Sequence, residues 1–120
     1  MIAHIVFFRP RADLTSGDVE GLIAAIERAH REIRSVRGFR VGKRTRRSAS
    51  YAAGIEEFPY AALVELDDLR ALEEYLAHPA HEDLGRRFWE TSEAAAAYDF
   101  ELFDASDARA ALAPEHQRPA

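Results

Sequence analysis

Tyr75-Leu76-Ala77-His78-Pro79-Ala80-His81 sets two imidazoles and a phenol around a proline, in a chain with few other residues suited to proton chemistry. Proline lacks the amide that a helix interior needs, and its ring clashes with the preceding turn. The proline therefore divides whatever helix it meets. Leu69 to Ala77 reads as a helix capped by Asp67 or Asp68, with Leu69, Leu72, Tyr75 and Leu76 as its inward stripe. His78 is pressed toward an extended conformation, and Pro79 opens a second helical piece in which His81, Leu84, Phe88 and Trp89 pack one face onto a core.

Strands flank this broken helix. Tyr60 to Leu66 reads as one, and Tyr98 to Phe103 alternates cleanly as another. Nearer the start, Phe39 to Thr45 alternates as a more exposed strand. Before it comes an amphipathic helix that begins at Thr15 or Ser16, carries Asp18 and Glu20 in its first turn, and ends near Ser35 to Gly38. Leu22, Ile23, Ala25, Ile26, Ala29 and Ile33 are its apolar stripe, with His30 solvated beside it. Ile2 to Arg9, closed by Pro10, is the first strand, with Ile2, His4, Val6 and Phe8 on one face and Ala3, Ile5 and Phe7 on the other. The order strand, helix, strand, strand, broken helix, strand predicts an α+β, ferredoxin-like βαββαβ fold with a four-stranded antiparallel sheet and helices on one face. The bare face carries Ile5 and Phe7. Pressing two copies together there removes apolar area from water at roughly 25 cal/mol per Å², so a homodimer is expected.

Composition narrows the function. A chain of 120 residues, 48% of them hydrophobic, buries one core, so a single domain over residues 1–104 is expected, with a flexible tail over 105–120. Net charge of -5 gives no general pull toward nucleic acid or anionic lipid. Lys43, Arg44, Arg46 and Arg47 cluster at the head of a loop over 45–59, but no aromatics interleave them, and a solvated loop or a flap over a pocket is the reading. The absence of cysteine excludes disulfides, thiolate catalysis and sulfur-ligated zinc. No basic start with a long apolar run and no stretch of membrane-spanning length is present, so a cytoplasmic protein without membrane contact is expected.

For a site, proton chemistry leads. Removing a proton α to a carbonyl needs a base, and the oxyanion that develops needs a donor. Histidine suits the first role and a tyrosine hydroxyl the second. His81 as base and Tyr75 as donor are six residues apart, which a straight helix would separate and the Pro79 break can bring together. Both also admit structural readings, His81 as a group orienting the break and Tyr75 as core. His4 stands among apolar neighbours, where a hydrogen-bonded core histidine is the alternative to an orienting group. His78, His81 and His4 have no carboxylate to complete a metal site, so neither metal nor cofactor is expected.

Met-Ile-Ala-His-Ile-Val-Phe-Phe at residues 1–8, Tyr-Leu-Ala-His-Pro-Ala-His at 75–81, Phe88-Trp89 and Tyr98-Asp99-Phe100 together resemble the stress-responsive dimeric α/β-barrel (Dabb) domain family over about residues 1–103. The resemblance implies a dimer of ferredoxin-like subunits, and many members of the family have no assigned activity. At the His-Pro-Ala-His motif the chain also resembles plant polyketide cyclases of the olivetolic acid type, which close a linear tetraketide thioester by aldol condensation. On that likeness Tyr75 and His81 match the catalytic pair and His4 a pocket histidine. Ile26 stands where those cyclases have a pocket tyrosine, Ala62 where they have a histidine, and the segment from His81 to Phe88 is shorter. The pocket implied lies between helices and sheet, with His4, Val6, Phe8, Leu22, Ile26, Val64 and Trp89 as substrate-binding candidates. Two functions follow: a cofactor-independent cyclase-like or lyase-like enzyme for a small apolar or aromatic carbonyl compound, or a non-enzymatic dimer serving ligand binding or stress tolerance.

Overall fold

A computed structural model describes residues 1–45 and 58–113. Its elements run β1 (Ile2–Pro10), α1 (Ser16–Glu32), β2 (Val36–Lys43), β3 (Tyr60–Leu66), α2 (Leu69–Ala77), α3 (Pro79–Thr91) and β4 (Ser92–Glu101), then a 3-10 turn (Ala105–Asp107) and α4 (Ala108–Leu112). The strands form one antiparallel sheet in the order β2-β3-β1-β4. This is the ferredoxin-like α+β fold.

Local chemistry sets most boundaries. Thr15 caps α1 in a capping box, its hydroxyl accepting from the Asp18 amide while Asp18 accepts from the Thr15 amide. Those two bonds hold the Asp18 carboxyl below its ordinary range. α1 ends at Glu32, short of the expected Ser35 to Gly38, because Ile33 is already extended and β-branched Val36 opens β2. β2 accordingly starts three residues before the predicted Phe39. Its register against β3 shifts between Val36 and Gly38, and Arg37 there grips Asp67 through two nitrogens at 2.8–3.0 Å. β3 and α2 fall at the predicted residues, with Asp68 as the cap through its bond from the Ala71 amide.

The larger departure is β4. It begins at Ser92, six residues ahead of the expected Tyr98, so Ala94 to Ala97 are strand. Alanine favours helix, but α3 has ended at Thr91 and every residue of this run pairs with β1, from Ala94 opposite Arg9 to Ala97 opposite Val6. Pro10 is drawn into β1 opposite Ser92, with a register irregularity beside it. The segment expected as a flexible tail starts with short helical turns. Residues 105–112 form the 3-10 turn and α4, neither with a buried residue, while 114–120 and the loop residues 46–57 lie outside the described residues.

The core lies between sheet and helices. Ile2, Phe8, Ala62, Val64 and Leu66 from the sheet meet Leu22, Ala25, Ala29 and Ile33 from α1 and its cap, and Leu72, Tyr75, Ala80, Leu84 and Phe88 from α2 and α3. Four residues expected inside are not there, the first being Ile23 of the α1 stripe, which is 41% exposed. Leu69 and Leu76 of α2 are exposed because only the Leu72–Tyr75 edge of this short helix meets the sheet, and Trp89, 82% exposed, follows Phe88 onto the outer side of α3. No helix among the described residues is long and apolar enough to cross a membrane.

Candidate functional site

The break at Pro79 builds the site. His78 is the hinge, ending α2 and capping α3, its backbone extended and its Nδ1 accepting the Ala80 amide at 3.0 Å. Pro79 takes the first position of α3, where no amide is needed. The cap of α3 is therefore His78, while the His81 side chain reaches back across the break to the Leu76 carbonyl of α2. The Tyr75 and His81 ring centroids lie 4.6 Å apart. His4, one strand away on β1, lies 5.5 Å from Tyr75 and 6.2 Å from His81. Three groups separated by up to 77 positions therefore meet in one cluster.

The hydrogen bonds define which atoms are available. His81 Nδ1 lies 3.1 Å from the Leu76 carbonyl oxygen, which can only accept, so Nδ1 carries the hydrogen and the neutral ring keeps its lone pair on Nε2. Burial is the main cause holding the His81 pKa below the usual imidazole value, with His4 lowering it further, while the Leu76 bond and Glu82 act in the opposite direction. His81 is therefore an unprotonated base at neutral pH. His4 Nδ1 lies 2.5 Å from Asp99 Oδ1, so the carboxylate fixes that ring in the same tautomer. Tyr75 is 2% exposed, and burial pushes its phenol well above the ordinary tyrosine value, so it stays protonated. No hydrogen bond joins its hydroxyl to a described residue, and its ring lies beside two imidazoles.

Asp99 is the member that the residue-by-residue reading did not assign a role. Its signal was present as one of two acids, with Glu101, in an alternating strand, but its meaning depends on the register that sets Asp99 opposite His4. The helical layer stops short of β4, an edge strand, so Ala95, Ala97 and Asp99 stay exposed on the same sheet face as His4. Asp99, the partner of His4, thus meets solvent.

The other candidates distribute unevenly. Phe8, Leu22 and Val64 belong to the main core, and Val6 and Ile26 pack against it. Phe8 is fixed edge-on to Phe88 at 4.8 Å and stacked on Tyr60 at 5.6 Å. Trp89 stands apart from all of them in solvent. A cavity of about 800 Å³ lies on the opposite face of the sheet, lined by Phe7, Phe58, Tyr98 and Ala94 to Ala96, with Lys43 and Arg44 also in its wall. The described residues hold no cluster of three or more His, Asp or Glu fit for a metal ion.

Comparison with known proteins places this geometry. The model of the Dabb family, the stress responsive A/B barrel domain, matches residues 2–102, and the chain belongs to that family. A search of curated proteins finds no match. Among solved structures, a dimeric protein of unknown function with a ferredoxin-like fold from Bacteroides fragilis is 28% identical, covering 84% of this chain and 95% of its own at a TM-score of 0.61. A dimeric ferredoxin-like protein of unknown function from Thermobifida fusca is 23% identical, with 84% and 90% covered and a TM-score of 0.66. The hydroxynitrile lyase of Passiflora edulis shares the fold at 14% identity, with 86% and 94% covered and a TM-score of 0.71.

Proposed function

We propose that this member of the Dabb family is a homodimer that takes up a small apolar carbonyl compound between helices and sheet and moves a proton beside that carbonyl without a cofactor, as a cyclase or a lyase does. The observation that carries the reading is the meeting of the Tyr75 ring, 4.6 Å away, with a base whose free nitrogen is fixed, His81 Nε2. In the cyclase direction Nε2 takes a proton from the carbon next to the carbonyl. The electron pair moves onto the carbonyl oxygen, the Tyr75 hydroxyl donates to the enolate so formed, and its carbon attacks a second carbonyl. In the lyase direction His81 Nε2 takes a hydroxyl proton, the carbonyl forms as the neighbouring carbon–carbon bond breaks, and the departing carbon leaves with that bond's electron pair as a stabilised carbanion that takes the proton from the imidazolium. His4, held by Asp99, orients the oxygen through its own ring. The likeness to olivetolic acid cyclase at Tyr75 and His81 supports the first direction and the hydroxynitrile lyase neighbour the second. Ile26 and Ala62 give the pocket a different lining, so the cyclase's substrate is not carried over.

The homodimer is supported by the bare face of the sheet. Ile5, Phe7 and Leu63 are half-buried there, and Tyr98 and Phe100 are 53% and 50% exposed. Two neighbours of the same fold are dimeric. Hydrogen–deuterium exchange at the methyl group of acetophenone in D2O, followed by proton NMR, tests the chemistry. Wild-type protein accelerates the exchange, and His81→Ala and Tyr75→Phe abolish the acceleration. Exchange no faster than in buffer, or equally fast in both variants, refutes an enzymatic site. A second reading, a non-enzymatic ligand-binding or stress-tolerance dimer, is favoured by the close packing around Tyr75 and by the cavity on the opposite face. Under it, His81→Ala leaves a stress phenotype intact while substitutions on the bare face abolish it.

A further inference from the structure

The charges around the cluster are of one sign. Asp99 lies at its open side with 44% of its side chain exposed, and among the described residues it pairs with His4 alone. Glu82 follows His81 in the first turn of α3, is exposed, and acts electrostatically on that imidazole, whereas no lysine or arginine does so. The arginines of the same helix are turned elsewhere, Arg86 and Arg87 both toward Asp83. A ligand bonded to the far nitrogen of His4 would sit about 7–8 Å from the Asp99 carboxylate, summing two hydrogen bonds and one imidazole ring. That is within the screening length of physiological salt.

We infer that the site selects uncharged carbonyl compounds, and that Asp99 and Glu82 are the specificity-determining groups that turn the corresponding carboxylates away. The inference rests on the reading of the cluster as a ligand site. An anion placed there meets two acidic groups and no compensating cation, while a ketone or aldehyde of the same shape meets the Tyr75 donor without that penalty. Discrimination of this kind weakens with added salt, which a purely steric pocket does not show.

Acetophenone and benzoate, close in shape and opposite in charge state, form the test. Binding to the full-length protein is followed through the His4 and His81 imidazole NMR signals at low salt and at high salt. Acetophenone is expected to bind at least tenfold more tightly than benzoate at low salt, with the ratio shrinking several-fold as salt rises. Asp99→Asn, which keeps an oxygen for His4, and Glu82→Gln, an exposed change that leaves the core untouched, are each expected to narrow the ratio. Equal affinity for the two probes, or a ratio that neither variant nor salt alters, overturns the selection and leaves the ligand site standing. If neither probe moves either imidazole, the site reading itself fails and the selection with it.

Discussion

The helix-covered face of the sheet buries polar groups, whereas the opposite face exposes apolar ones. On the covered face His4 is enclosed beside Tyr75 and His81, among core residues such as Val64 and Leu66. On the bare face Phe7, Tyr98 and Phe100 form a chain of ring contacts at 6.2–6.3 Å with no helix above them. Burial of a polar group costs free energy unless something repays it, and exposure of large apolar groups leaves the hydrophobic contribution unused. Both departures from the usual distribution are unexplained by folding of one copy alone. The first points to a ligand and the second to another copy, and alternation along β1 and β4 keeps the two apart while one ladder of backbone hydrogen bonds carries both.

Perturbing each face separately tests that division. His81→Ala removes the base and is expected to lower acetophenone exchange by about 10²–10⁴-fold, as loss of a general base does, with the oligomeric state in sedimentation unchanged. Leu84→Ala, at a site 2% exposed, deletes core volume beneath the cluster and is expected to cost about 2–5 kcal/mol in chemical denaturation. Leu63→Asp, on the bare face, is expected to turn the dimer into monomers at micromolar concentration while circular dichroism stays native; a variant that still sediments as a dimer shows that the interface lies elsewhere. The pH response isolates His81. Its folded pKa is below its unfolded value, so the unfolded state binds the extra proton and stability falls as pH drops through about 6.5 toward the folded pKa. Asp18, Asp67 and Asp83, all lowered by hydrogen-bonded partners, act in the same sense but only below about 4. His81→Gln should therefore flatten the curve between about pH 6.5 and 5 and leave the acid limb alone. Tyr75→Phe should have the smallest effect on stability, within about 1 kcal/mol, since the hydroxyl has no hydrogen bond to lose among the described residues.

How much of this was legible from residues alone follows from the range of the interactions. Tyr60 to Leu66 and Leu69 to Ala77 were readable because their signals are local: a β-rich run after a proline, an aspartate cap and a helical stripe ended by Pro79. The meeting of Tyr75 with His81 was also local in origin, set by the same break. The strand formed by Ala94 to Ala97 was not legible, since nothing in four alanines prefers a strand until β1 offers its hydrogen bonds. Asp99 as the partner of His4 was hidden for the same reason, at a separation of 95 residues. Trp89 misled because its position next to Phe88 suggests a shared face, and consecutive helical residues point about 100° apart.

Those alanines have a further consequence. In β4 neighbouring side chains serve different compartments: Ala97 shares the sheet face of His4, and Ala94 and Ala96 line the cavity beyond the sheet, with Ala95 also in its wall. A methyl group is the smallest side chain that keeps the strand's handedness, so each position has volume to gain and almost none to lose. Position along the strand then decides which compartment a larger residue shrinks, Ala94 or Ala96 the cavity and Ala97 the face of the imidazoles. The strand can be engineered as two independent size filters read from one run of four codons, one for what reaches the imidazoles and one for what fits between the sheet and whatever covers it.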